Sequence, residues 1–127
     1  MAVLQLQQVD AAAGDAIFCD GPLVAYDVAA AAATYRPDGT HTVERPGLVL
    51  VWSLVEAAGD GAVLAAEVDL DGDEHLVRCD RVEFPADGVA FLHTHQGPGI
   101  RCLVEGQFAV ETQGTRHEIE RLGAWFE

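Results

Sequence analysis

The chain has 127 residues, half of them apolar, which suffices for one domain with an ordinary core and leaves no room for a second. Its net charge is −14, from 21 acids against 7 basic residues, and so acidic a surface disfavours nucleic acid and anionic membranes as partners. The acids are scattered instead of blocked, which excludes a disordered acidic tail.

The opening residues, MAVLQLQQVD, show no basic region ahead of an apolar run, and the apolar stretches are too short to span a bilayer. A cytoplasmic chain outside the membrane is the expectation. Residues 26–35, YDVAAAAATY, read either as a short helix stopped by Pro37 or as a small-residue strand pressed against a neighbour. Turn signals then cut the chain into short β-rich runs at RPDG, AAGDGA, DLDGDE, PADG and TQG. The expected strands are residues 48–55, 62–70, 76–84, 89–95, 100–104, 108–112 and 116–121, an all-β spacing that suits a sandwich or barrel. Gln113 and Gly114 join two of these runs in a tight hairpin, glycine supplying a positive φ.

Several chemistries drop out on residue spacing. Asp69, Asp71 and Asp73 resemble the start of a calcium loop, but the sixth position is Glu74 and the twelfth Asp80, so an acidic turn is the better description. Ser53 is the only serine, and no phosphate-binding loop, dinucleotide fingerprint or nucleophile elbow occurs. Cys19, Cys79 and Cys102 are far apart and odd in number, which points to thiols in a reducing compartment and away from a thiolate metal centre.

The chemistry concentrates in HTHQGPGIR, residues 93–101. On a strand, His93 and His95 project to one face together with Phe91, and two neighbouring imidazoles can donate to a single zinc, iron, manganese or nickel ion. The plainer alternative is a pair of rings hydrogen-bonded in a core or at a rim. As a set, residues 84–127 resemble the cupin superfamily. His93 and His95 take the HxH places of its first motif, Gly106 stands at the closing glycine, and GAWFE is similar to the opening of the second motif. HTHQGPGIR itself resembles a group of small bacterial cupins with the pattern HTHxGPGIR. The resemblance implies a cupin-type, jelly-roll-like β-barrel as one domain over residues 1–127, with residues 1–70 as upstream strands and 76–127 carrying the motifs.

Three places depart from the pattern. The motif's glutamate, usually a metal ligand, would fall at Gly99; its leading glycine is displaced by one place to Gly88; and its second-motif histidine is not reached by Glu127. A second motif cut short implies a barrel left incomplete, or closed either by strands from the first 70 residues or by a second copy in a homodimer. Candidates for a third ligand are His41, His75, His117, Gln96 or a carboxylate brought in by the fold, with His117 expected to face the core in phase with Ile119. Arg101 is expected to face the interior, either clamping a carboxylate ligand or paired with Glu83 or Asp80. Phe91, Phe108, Trp125 and Phe126 are expected to wall the cavity. The functional expectation is a divalent metal on His93 and His95 serving a small anionic organic molecule, with oxygenase or isomerase chemistry of the cupin kind. The alternative is a metal-free binding or sensing module, and no catalytic acid or base is identified.

Overall fold

The structure, a computed structural model, describes residues 2–91 and 95–127. The fold is all-β, and no helix occurs among the described residues. The strands are β1 (Ala2–Ala11), β2 (Ala16–Phe18), β3 (Leu23–Asp27), β4 (Ala32–Arg36), β5 (Thr40–Thr42), β6 (Gly47–Val55), β7 (Ala62–Val68), β8 (Ile100–Cys102), β9 (Phe108–Thr112), β10 (Thr115–Ile119) and β11 (Ala124–Phe126). Five of them form an antiparallel sheet in the order β4-β3-β6-β1-β7, and the rest pair as β10-β9, β11-β8 and β2-β5.

β6 reads GLVLVWSLV because it is the central strand with both faces covered, which calls for a continuous apolar run instead of alternation. Val49 and Val51 point to one face, where they pack with Leu23, Ala25, Ile17 and Val43, so the β2-β5 pair covers that side. Leu50 points to the other, with Leu6, Tyr26 and Ile100, and half-buried Trp52, Cys102, Ala124 and Phe126 close around them. The β8-β11 pair is therefore the lid on the second face, and Trp52 fastens it by donating its indole N–H to the Ile100 carbonyl at 2.9 Å. β1 is pinned on the first face by Gln5, which is buried at 4 % exposure. Its amide donates to Ser53 Oγ at 3.0 Å and accepts the Gly59 N–H at 2.8 Å, so the polar group costs no unpaired donor or acceptor.

Of the two readings of residues 26–35, the strand form is the one found. β3 and β4 make a hairpin whose turn is set by Asp27, with Oδ1 accepting the Ala30 N–H at 3.1 Å and Ala31 at a φ of 52°. Tertiary pairing overrides alanine's helix preference, because β3 gains a full ladder with β6 and buries Leu23, Val24, Ala25 and Tyr26 on both faces.

One expected strand, residues 76–84, does not form: it is exposed and without a ladder among the described residues. Of the strand expected at residues 89–95, residues 89–91 are exposed and residues 92–94 lie outside the described residues. An alternating run becomes a strand only when a partner edge takes its N–H and C=O groups. Here the charges pair within the segment instead, Arg78 with Asp80 at 2.9 Å and Arg81 with Glu83 at 3.0 Å, while Arg81 Nη1 donates to Tyr26 Oη at 2.8 Å and lays the segment over β3. Consequently the sheet keeps β4 and β7 as its edges, and the described residues form no closed barrel. No helix in the structure is long and apolar enough to cross a membrane.

Candidate functional site

β8 starts directly after Gly97, Pro98 and Gly99, and it pairs with β11 through Ala124 opposite Cys102, Trp125 opposite Arg101 and Phe126 opposite Ile100. The pairing runs one step further. Gly99 N–H donates to the main-chain oxygen of Glu127 at 2.8 Å, and Glu127 N–H donates to the Gly99 carbonyl at 3.0 Å, so these two residues stand directly opposite each other. Period-two alternation then sorts the pair into two faces. Ile100, Cys102, Ala124 and Phe126 turn inward onto the sheet, and Arg101, Trp125 and Glu127 share the outer face with Gly99.

The polar centre of this outer face is the Glu127 carboxylate. Its Oε2 lies 2.7 Å from His95 Nε2 and 3.4 Å from Arg101 Nε, with the Glu127 side chain only 21 % exposed. Arg101 Nη1 reaches the main chain as well, donating to the Gly99 carbonyl at 2.8 Å and to the Glu127 main-chain oxygen at 3.2 Å. Arg101 therefore has a carboxylate partner, but it is Glu127; the two acids expected for it, Glu83 and Asp80, are taken by Arg81 and Arg78. Its Nη2 has no hydrogen-bond partner among the described residues.

Below the charged group lies an aromatic row. Trp125 meets Phe108 edge to face with centroids 5.3 Å apart, and Phe108 meets Phe84 at 6.5 Å. Beside it, β9, β10 and β11 enclose an open groove of about 390 Å3 lined by Thr112, His117, Ile119, Trp125 and Phe126. Trp125 Nε1 is buried and has no hydrogen-bond partner among the described residues.

The expected site residues are thus only partly gathered. His95, Arg101, Trp125 and Phe108 are close neighbours along one face. His93 lies outside the described residues. Phe91 is 84 % exposed, Phe126 belongs mainly to the core face, and Phe84 meets Phe108 at the end of the aromatic row. His117 is exposed in the groove and does not face the core as its phase with Ile119 suggested, because only Ile119, at the strand end, is covered. His41 accepts a hydrogen bond from Arg36 at 3.4 Å, and His75 lines a separate groove with Val24, Tyr35 and Cys79. Gln96 is exposed. Among the described residues no three His, Cys, Asp or Glu side chains gather into an ion-holding group. What the outer face does supply is an imidazole nitrogen and a carboxylate oxygen side by side, a donor chemistry that fits zinc, iron, manganese or nickel.

Sequence reasoning missed Glu127 as a named site residue. The available signal was local, since Trp125 and Glu127 alternate onto one face; the pairing with Gly99 is long-range and has no local signature. Burial pushes the Cys102 thiol up, against the opposing effect of the amide of Gln8, which donates to its Sγ at 3.7 Å. Comparisons with protein-family models, curated proteins and solved structures return no match to this chain.

Proposed function

We propose that this chain is a cupin-like β-protein that holds a divalent metal ion through His93 and His95 and receives a small anionic organic molecule beside it. The observation that carries this reading is the cluster on the outer face of β8 and β11, where His95, Glu127 and Arg101 meet. Imidazole and carboxylate suit a divalent cation, and Arg101 Nη2 supplies a guanidinium N–H to a guest's carboxylate or phosphate. The bound ion would contribute Lewis-acid polarisation of the guest. The residues of the chain would bind and orient that guest, with Arg101 setting its charged end and the Phe84, Phe108 and Trp125 row offering an apolar floor. In the cupin-type reading, a second copy meets the β4 or β7 edge and closes the sheet.

Metal analysis of the purified chain tests this reading. Stoichiometric zinc, iron, manganese or nickel is expected, lost in His93→Ala and in His95→Ala; a wild-type chain that takes up none of the four overturns it. A second reading, a metal-free binding module, is favoured by one observation: Glu127 Oε2 already meets Arg101 Nε and His95 Nε2 within the chain itself. It expects an anion to bind the metal-free chain and Arg101→Ala to abolish that binding.

A further inference from the structure

We infer that residues 75–83 are a docking strand for a second copy of this chain, the two copies of the segment pairing antiparallel about a twofold axis at Cys79. The inference is independent of the metal reading, and it names a different surface from the β4 and β7 edges.

From residue 74 to residue 85 the chain runs without turn or bend, and every residue of it is exposed. Its side chains alternate. His75, Val77 and Cys79 line a groove with Val24, Ala33 and Tyr35, and Arg81 Nη1 meets Tyr26 Oη at 2.8 Å, so the odd-numbered residues face β3 and β4. Leu76, Arg78, Asp80 and Val82 then turn outward, with Leu76 and Val82 84 and 69 % exposed. The segment is extended like a strand, yet its main-chain groups make no main-chain hydrogen bond among the described residues. An unpaired run of this kind is a template for another chain.

The pattern of side chains selects a second copy as the occupant. Directly opposed residues of an antiparallel pair rise on the same face, so two copies that each keep the odd-numbered face on their own β3 and β4 must oppose even to even and odd to odd. With the axis at Cys79, Leu76 stands opposite the partner's Val82, Arg78 opposite the partner's Asp80, and His75 opposite the partner's Glu83. The twofold repeats each of these pairs. Within each copy Arg78 already meets Asp80 at 2.9 Å on the outward face, so charges of alternating sign surround the axis. Same-face registers centred one residue to either side oppose Arg78 to Arg78 or Asp80 to Asp80, and like charges directly opposed are destabilising.

The test is sedimentation equilibrium of the full chain over a concentration series, with circular dichroism verifying the β signal of each variant. Wild type is expected to dimerise. Arg78→Asp sets a carboxylate against the partner's Asp80, and Asp80→Arg sets a guanidinium against the partner's Arg78, so each variant alone should dimerise about tenfold or more weakly. An equimolar mixture of the two variants opposes unlike charges again, although neither chain keeps its internal Arg78–Asp80 bridge, and should associate to within about threefold of wild type. Asp80→Arg also makes each copy less negative, so a dimer governed by net charge would tighten where this one loosens. A wild-type chain that stays single up to about 1 mM overturns the inference. So do reversals that leave the dimer unchanged, as docking through β4 or β7 would, and a mixture no tighter than its components. None of these outcomes bears on metal uptake.

Discussion

Gly99 and Arg101 constrain each other closely, and the sign of a substitution at one depends on the other. All three of the heavy atoms nearest to a Cβ at position 99 belong to the Arg101 guanidinium, the closest at 2.5 Å. In the metal-free chain, Gly99→Ala should swing the flexible Arg101 guanidinium away from the Gly99 and Glu127 oxygens and cost at most about 1.5–3 kcal/mol, the range for a hydrogen bond to a charged group. In an Arg101→Ala background the obstruction is gone, and the same change should become neutral or stabilising by about 0.4–1 kcal/mol through the unfolded state. Urea melts of the four chains of this double-mutant cycle measure the coupling, and equal effects of Gly99→Ala in both backgrounds would contradict the contact.

Among the strands, β6, β7, β8, β9 and β10 were legible in the sequence, because apolar or alternating runs are bounded there by glycine and aspartate turns. The β9-β10 turn forms as read, with Gln113 at a φ of 51° and Gly114 at 76°, the two positive angles of a type I′ turn. β1 was hidden by its glutamines: Gln5 is a polar residue at a core position, tolerable only because Ser53 and Gly59, far along the chain, complete its hydrogen bonds. Residues 76–84 failed in the opposite way, since their alternation is only partial, with both faces mixed, and their partner edge is missing among the described residues. The site followed the same division. The HxH spacing points to His95 and only the family resemblance points to Arg101 beside it, whereas Glu127 joins them through cross-strand register, which no local pattern encodes.

β4 and β5 carry a pH dependence of their own. His41 is held below its ordinary value of 6.5, first by burial and then by the charge of Arg36, with Glu44 opposing. Its neutral Nδ1 accepts from Arg36 Nε, so protonation replaces an acceptor with a second cation. A depressed histidine leaves the unfolded chain to take up the proton first, so this contribution is intact above pH 6.5 and is lost as pH falls through the folded value. Urea midpoints should therefore drop on acidification below 6.5, and His41→Gln should flatten that part of the profile. An unchanged slope in the variant would exclude His41 as its source.

At the level of the whole molecule, a net charge of −14 on 127 residues makes self-repulsion a global term. Screening lengths shrink from about 30 Å at 0.01 M salt to about 3 Å at 1 M, so the thermal midpoint should rise with sodium chloride, and any association of two copies should strengthen with it. A midpoint that falls with salt would show local ion pairs outweighing the global field. The exposed run at residues 71–91, between β7 and β8, has a further consequence, because it lies between two parts that hold each other by packing. Its Leu76, Val82 and Val89 are 84, 69 and 70 % exposed, whereas Ile100 beyond it is clamped between Leu6, Tyr26 and Leu50. The chain contains no lysine, and Arg36 and Arg45 each precede a proline, which trypsin does not cleave. The protease is left with Arg78 and Arg81 in the open stretch, against Arg101 and Arg116 within strands and Arg121 in the turn before β11. Trypsin should therefore nick the molecule first at Arg78, and the two fragments should elute together as one particle until denaturant parts them.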